Sequence, residues 1–87
     1  MYYVKKYVDV KALYDSFGNI TPLQIGWEDG RAFAVDRVLD VRRAASTKIG
    51  GGGLRFTVRI AGHQRYLFLD ENRWFVEGRA EQMEELE

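Results

Sequence analysis

Short runs of β-branched and aromatic residues, alternating apolar with polar and cut by glycines, constrain this 87-residue chain more than any other feature of its sequence. Alternation at period two sends one side of each run into a core and the other toward water, which a strand satisfies and a helix does not. Six such runs can be read. Val4, Val8, Val10, Ala12 and Tyr14 share one side of the first, with Lys6 as the exception; Leu23, Ile25 and Trp27 mark the second. Phe33, Val35, Leu39 and Val41, interrupted by Arg37, mark the third. Leu54, Phe56, Val58 and Ile60 form the fourth, Tyr66-Leu-Phe-Leu69 the fifth, and Trp74 with Val76 the sixth. The chain has one proline and no internal repeat or linker, so a single domain over 1–78 is expected, followed by an acidic tail or short helix over 79–87.

Turn chemistry sets the register. Ala61-Gly-His-Gln64 suits a two-residue hairpin with Gly62 first, which pairs Val58 with Leu67 and Phe56 with Leu69. Asp70-Glu-Asn-Arg73 as a second two-residue turn pairs Leu69 with Trp74 and keeps the same inner row. A three-residue loop of Glu28, Asp29 and Gly30, with Gly30 at the left-handed position, aligns Ile25 with Phe33 and Leu23 with Val35. A six-stranded antiparallel meander of this size is expected to curl into a small, partly open barrel of the SH3-like type. Both tryptophans fall on inner rows and should be buried. Four consecutive glycines in Ser46–Gly53 predict the most mobile internal loop. Ala80, Met83 and Leu86, spaced by three, allow a short C-terminal helix, while Leu86-Glu87 reads equally as a cloning remnant.

Composition excludes several classes of function. With 46% hydrophobic and 14% aromatic residues the chain is not disordered overall, and without cysteine it has no disulfide, thiolate or Cys–zinc chemistry. No apolar run approaches the roughly 18–20 residues of a membrane helix, and Met1–Tyr7 lacks the apolar core of a signal peptide, so a cytoplasmic location is expected. His63 is the only histidine and falls in a predicted turn, which leaves Ser16 and Ser46 without a base and gives no metal site. Asp36 and Asp40, four apart in one run, have arginine partners as their default rather than an acid/base role. The glycine run Gly50–Gly53 is not followed by the Lys-Ser/Thr of a phosphate loop. No enzyme activity and no cofactor are expected.

Charge is the remaining signal. The net charge is zero, yet Arg37–Arg65 carries +6 and Glu77–Glu87 carries −4. In the register above, the outer face of the last strands gathers Arg42, Arg55 and Arg59 with Tyr66, Phe68 and Phe75, and Lys48 lies beside them in the glycine loop. Arginines contact phosphates and exposed rings stack on bases, which makes this face a candidate for single-stranded nucleic acid. Two other readings of the same face stand beside it: a homodimer contact, as in a structural or assembly protein, and an apolar second face covered by a terminal segment.

Ile20-Thr-Pro-Leu23, Trp27-Glu-Asp-Gly-Arg31, Val38-Leu-Asp-Val-Arg-Arg43 and Tyr66-Leu-Phe with Arg73-Trp74 resemble a family of small uncharacterised bacterial all-β proteins, over about residues 8–78. The family is loosely similar to small domains that accompany translesion DNA polymerases in bacteria. The resemblance implies structural roles for these motifs, as turn, core strand and core tryptophan, and it transfers no catalytic residue.

Overall fold

A computed structural model describes residues 3–43 and 53–79, and every regular element among them is a strand. In chain order these are β1 (Tyr3–Tyr7), β2 (Asp9–Tyr14), β3 (Ile20–Gly26), β4 (Ala32–Ala34), β5 (Arg37–Arg43), β6 (Leu54–Ile60), β7 (His63–Asp70) and β8 (Arg73–Arg79). They pair as a five-stranded antiparallel sheet, β1-β8-β7-β6-β5, and a three-stranded one, β2-β3-β4. The all-β expectation holds, but eight strands are found instead of six, and these pairings do not close a barrel. The difference comes from two places where a predicted run changes sheet. The first run breaks at Val8, whose N–H bonds the Trp74 carbonyl at 3.1 Å. The third breaks after Ala34: the Val35 N–H still bonds Leu23 at 2.9 Å, and the next N–H, Asp36, turns to Arg59 at 2.8 Å. The Lys48 loop and the C-terminal helix expected from the sequence lie outside the described residues.

One core fills the space between the sheets. Ile25 and Trp27 from β3 and its loop meet Phe56, Val58, Ile60, Leu67, Leu69, Trp74 and Val76 from the large sheet. Both tryptophans are buried, as expected. Lys6, the exception in the first apolar row, lies with its ammonium 5.9 Å from the Trp27 ring centroid and bonds Glu28 at 2.6 Å. A long stem lying on apolar surface with a charged end in water removes the apparent conflict.

Two bulges correct the predicted rows. β2 and β3 shift register between Lys11 and Ala12, which leaves Leu23 as the extra residue of β3, and it is exposed. β5 and β6 shift between Val38 and Asp40, which leaves Leu39 as the extra residue and exposes it too. An inserted residue changes the phase of everything beyond it, so Val38 packs on the core in place of Leu39.

The turns divide differently. Ile25 pairs with Phe33, the Trp27 N–H bonds the Arg31 carbonyl at 2.8 Å and Gly30 has φ 91°, so the three-residue loop is as read. Asp29 braces it by accepting from the Arg31 backbone and side chain; the backbone bond is the first cause holding its carboxyl below the ordinary 3.8. Leu69 pairs with Trp74 around Glu71 and Asn72, both at positive φ. The β6–β7 turn, however, is Ala61-Gly62, with φ 52° and 79°, not Gly62-His63. Phe56 therefore faces Leu67 and Leu54 faces Leu69. The predicted register would put Leu54 opposite Glu71; the observed one gives it an apolar partner and places alanine in a left-handed conformation, at a cost of about 1–2 kcal/mol. Asparagine tolerates that conformation, and Asn-Gly is the preferred pair for such turns. Ala61→Asn should therefore raise stability by about 0.5–1 kcal/mol, seen as a melting temperature higher by about 4–8 °C per kcal/mol.

Candidate nucleic-acid interface

The register assigns the face of the large sheet that points away from the core. Arg37 stands opposite Arg59, Asp40 opposite Thr57, and Arg42 opposite Arg55. Across β6–β7, Arg59 meets Gln64, Thr57 meets Tyr66 and Arg55 meets Phe68; Phe68 meets Phe75, and Phe75 meets Tyr7. Arg42, Arg55, Phe68, Phe75 and Tyr7 thus form one cross-strand row. The Asp70–Arg73 turn predicts the Phe68–Phe75 pairing, and it is found; the predicted Gly62-His63 turn would instead put Arg59 opposite Tyr66 and Arg55 opposite Asp70, which is not found. Both differences follow from the earlier turn at Ala61.

The rings differ sharply in access. Tyr66 is 48% exposed, while Phe68 is 4% and Phe75 1% exposed. Phe68 and Phe75 stack with centroids 5.2 Å apart and planes 8° from parallel. Tyr7 meets Phe75 edge-on at 5.6 Å, and the Lys5 ammonium lies 4.7 Å from the Phe75 centroid. Arg73 covers the Tyr7 ring at 3.6 Å. Of the three rings the sequence placed on this face, only Tyr66 is open to a ligand.

The cations form a built array. Arg55 lies 4.7 Å from the Tyr66 centroid, and its Nε is buried with no hydrogen-bond partner. Among the described residues, the Arg59 guanidinium donates to the Gly62 carbonyl at a long 3.4 Å. Asp40 bonds Arg42 at 2.8 Å, from its own strand instead of across the sheet. Like charges directly opposite one another on a sheet repel, and β5–β6 contains two such pairs with one carboxylate between them. Arg37 was not singled out from the sequence. The length of the glycine loop sets no register between β5 and β6, so nothing in the sequence aligned Arg37 with Arg59.

Among the described residues no three His, Asp or Glu side chains are placed to hold a metal ion, and no helix is long and apolar enough to cross a membrane. His63 opens β7, exposed, immediately after the turn. No family model matches the chain, and neither the curated proteins nor the solved structures contain a match.

Proposed function

We propose that the chain is a small binding module that takes single-stranded nucleic acid on the outer face of β5, β6 and β7. The observation that carries this reading is the double arginine pairing, Arg37 with Arg59 and Arg42 with Arg55, beside the exposed Tyr66 ring. Along β6, Arg55 and Arg59 are about 13 Å apart at about 3.3 Å per residue, so the two pairs suit separate phosphates of one strand. Phosphate oxygens between paired guanidinium groups relieve their repulsion. Tyr66, with Arg55 against it, offers the stacking surface. The reading is of binding without catalysis.

The fold reading that goes with it is a small, partly open barrel of the SH3-like type. The hydrogen bonds from Val8 to Trp74 and from Asp36 to Arg59 support it, because they continue the pairing through both bends.

A fluorescent oligonucleotide titrated at low and moderate salt tests the function. Affinity should fall as salt rises, and each of Arg55→Ala and Arg59→Ala should reduce the log–log slope by about 0.7. Tyr66→Ala should weaken binding by about 1–3 kcal/mol for the base it stacks on. Wild-type protein that ignores oligonucleotide at low salt overturns the proposal. A salt-indifferent dimer in sedimentation, broken by Tyr66→Ala, would assign the face to self-assembly instead.

A further inference from the structure

We infer that the base held on Tyr66 is a guanine, read by the Asp40 carboxylate together with its partner Arg42. The inference rests on the proposed function and names the base that the same site prefers. The register gives the placement. Asp40, Thr57 and Tyr66 form one cross-strand row over β5, β6 and β7. The row lies between the Arg37–Arg59 pair and the Arg42–Arg55 pair, about 7 Å from each along β6. A nucleic-acid strand that joins phosphates at the two pairs therefore crosses it. Thr57, short and buried, is the floor of the row, with the exposed Tyr66 ring on one side and Asp40 on the other. Tyr66 and Asp40 stand about 10 Å apart, two strand spacings, so a base stacked on Tyr66 presents an edge toward Asp40.

A carboxylate on a face that takes phosphates repels them, and a base-reading role explains its place there. Asp40 Oδ2 accepts from Arg42 Nε at 2.8 Å, and both side chains stay open to solvent. Each carboxylate oxygen accepts through two lone pairs, so among the described residues Oδ1 and the second lone pair of Oδ2 remain as a two-point acceptor. The amino N–H groups of Arg42 stand beside it as donors. Guanine has the matching Watson–Crick edge: the O6 acceptor, then the N1–H and N2–H donors. Adenine and cytosine set a ring-nitrogen acceptor beside their one amino group, and thymine flanks its one N–H with two carbonyls. Each of these would turn an acceptor against the carboxylate, where it has no hydrogen-bond partner. In a single strand this edge is free to be read.

Short fluorescent thymidine oligonucleotides with one central guanine, adenine or hypoxanthine test this at fixed low salt, and the ratio of their affinities is the readout. The guanine oligomer should bind about 5- to 10-fold more tightly than the adenine one, the lower part of what a two-point base contact gives, because this edge stays open to water. Hypoxanthine keeps O6, N7 and N1–H but lacks the N2 amino group, so it should lose most of that gain. In Asp40→Asn one acceptor becomes a donor facing a donor, and the guanine preference should disappear. Equal affinities for the three oligomers, with the salt dependence intact, overturn the inference and leave the proposed function standing. Hypoxanthine bound as tightly as guanine, or a preference that survives Asp40→Asn, also overturns it, because either result assigns the reading to arginines at O6 and N7. No binding of any oligomer at low salt removes both readings. The hypoxanthine comparison needs no change in the protein, so it decides the matter even if Asp40→Asn fails to fold.

Discussion

Phe56→Ala should cost about 3–5 kcal/mol, the largest loss expected from any single truncation in this core. Phe56 is fully buried at the centre of the large sheet, opposite Leu67 and Val41, with its ring 5.2 Å from that of Trp74. Removing it leaves a cavity between the two sheets that Trp74 cannot fill without leaving its position beside Leu69. A chain of 87 residues has a total stability of about 4–13 kcal/mol, so the variant would lose about a quarter of it or more. Urea denaturation followed by tryptophan fluorescence measures this, with Val41→Ala as the comparison. Val41 shares the inner side but is 46% exposed at the edge strand, and its truncation should cost less than about 1 kcal/mol. Equal losses for the two would show that the core is not centred on Phe56.

That contrast also separates what the sequence discloses from what it does not. Phe56, Val58, Ile60, Leu67, Leu69, Trp74 and Val76 are legible as core because period-two alternation and the Asp70–Arg73 turn agree about which side they occupy. The Glu28–Gly30 loop is legible because glycine at the left-handed position and a chelating Asp29 leave few alternatives. Leu23 and Leu39 look like core by the same count and are exposed, because a bulge adds one residue and alternation contains no mark of the insertion. The changes of sheet at Val8 and Asp36 are likewise silent, since a strand that bends keeps its composition. At the candidate site, Arg42, Arg55, Arg59 and Tyr66 could be placed on one face from sequence. The burial of Phe68 and Phe75 is one of three readings the sequence leaves open, because access depends on what crosses a face and not on which side a residue takes. The pairing of Arg37 with Arg59 depends on a register that a run of glycines leaves open.

One of those glycines has a structural role that its neighbours in sequence conceal, and substitution there should be nearly as damaging as in the core. Gly53 leads into β6 at φ 108°, a conformation that side chains rarely adopt. A Cβ at this position would press into the Leu69 carbonyl oxygen and lie 3.0 Å from the Asp70 Cα and 3.1 Å from the Asp70 Cβ. None of these atoms is the free end of a flexible side chain; all belong to the end of β7, where Leu69 pairs with both Leu54 and Trp74. Relief therefore requires β6 to move relative to β7. The left-handed backbone costs about 1–2 kcal/mol for alanine and the overpacking about 1–3 more, so Gly53→Ala should lose about 2–5 kcal/mol. Gly30 isolates the first part of that sum. Its φ is 91°, but no atom lies within 4 Å of where its Cβ would be, so Gly30→Ala should lose only the conformational part, about 1–2 kcal/mol. Denaturation midpoints of the two variants against the wild type make the comparison direct. If Gly53→Ala is no worse than Gly30→Ala, the close approach of Gly53 to Leu69 and Asp70 does not hold in solution, and with it goes the anchoring of the β6 entrance against the end of β7.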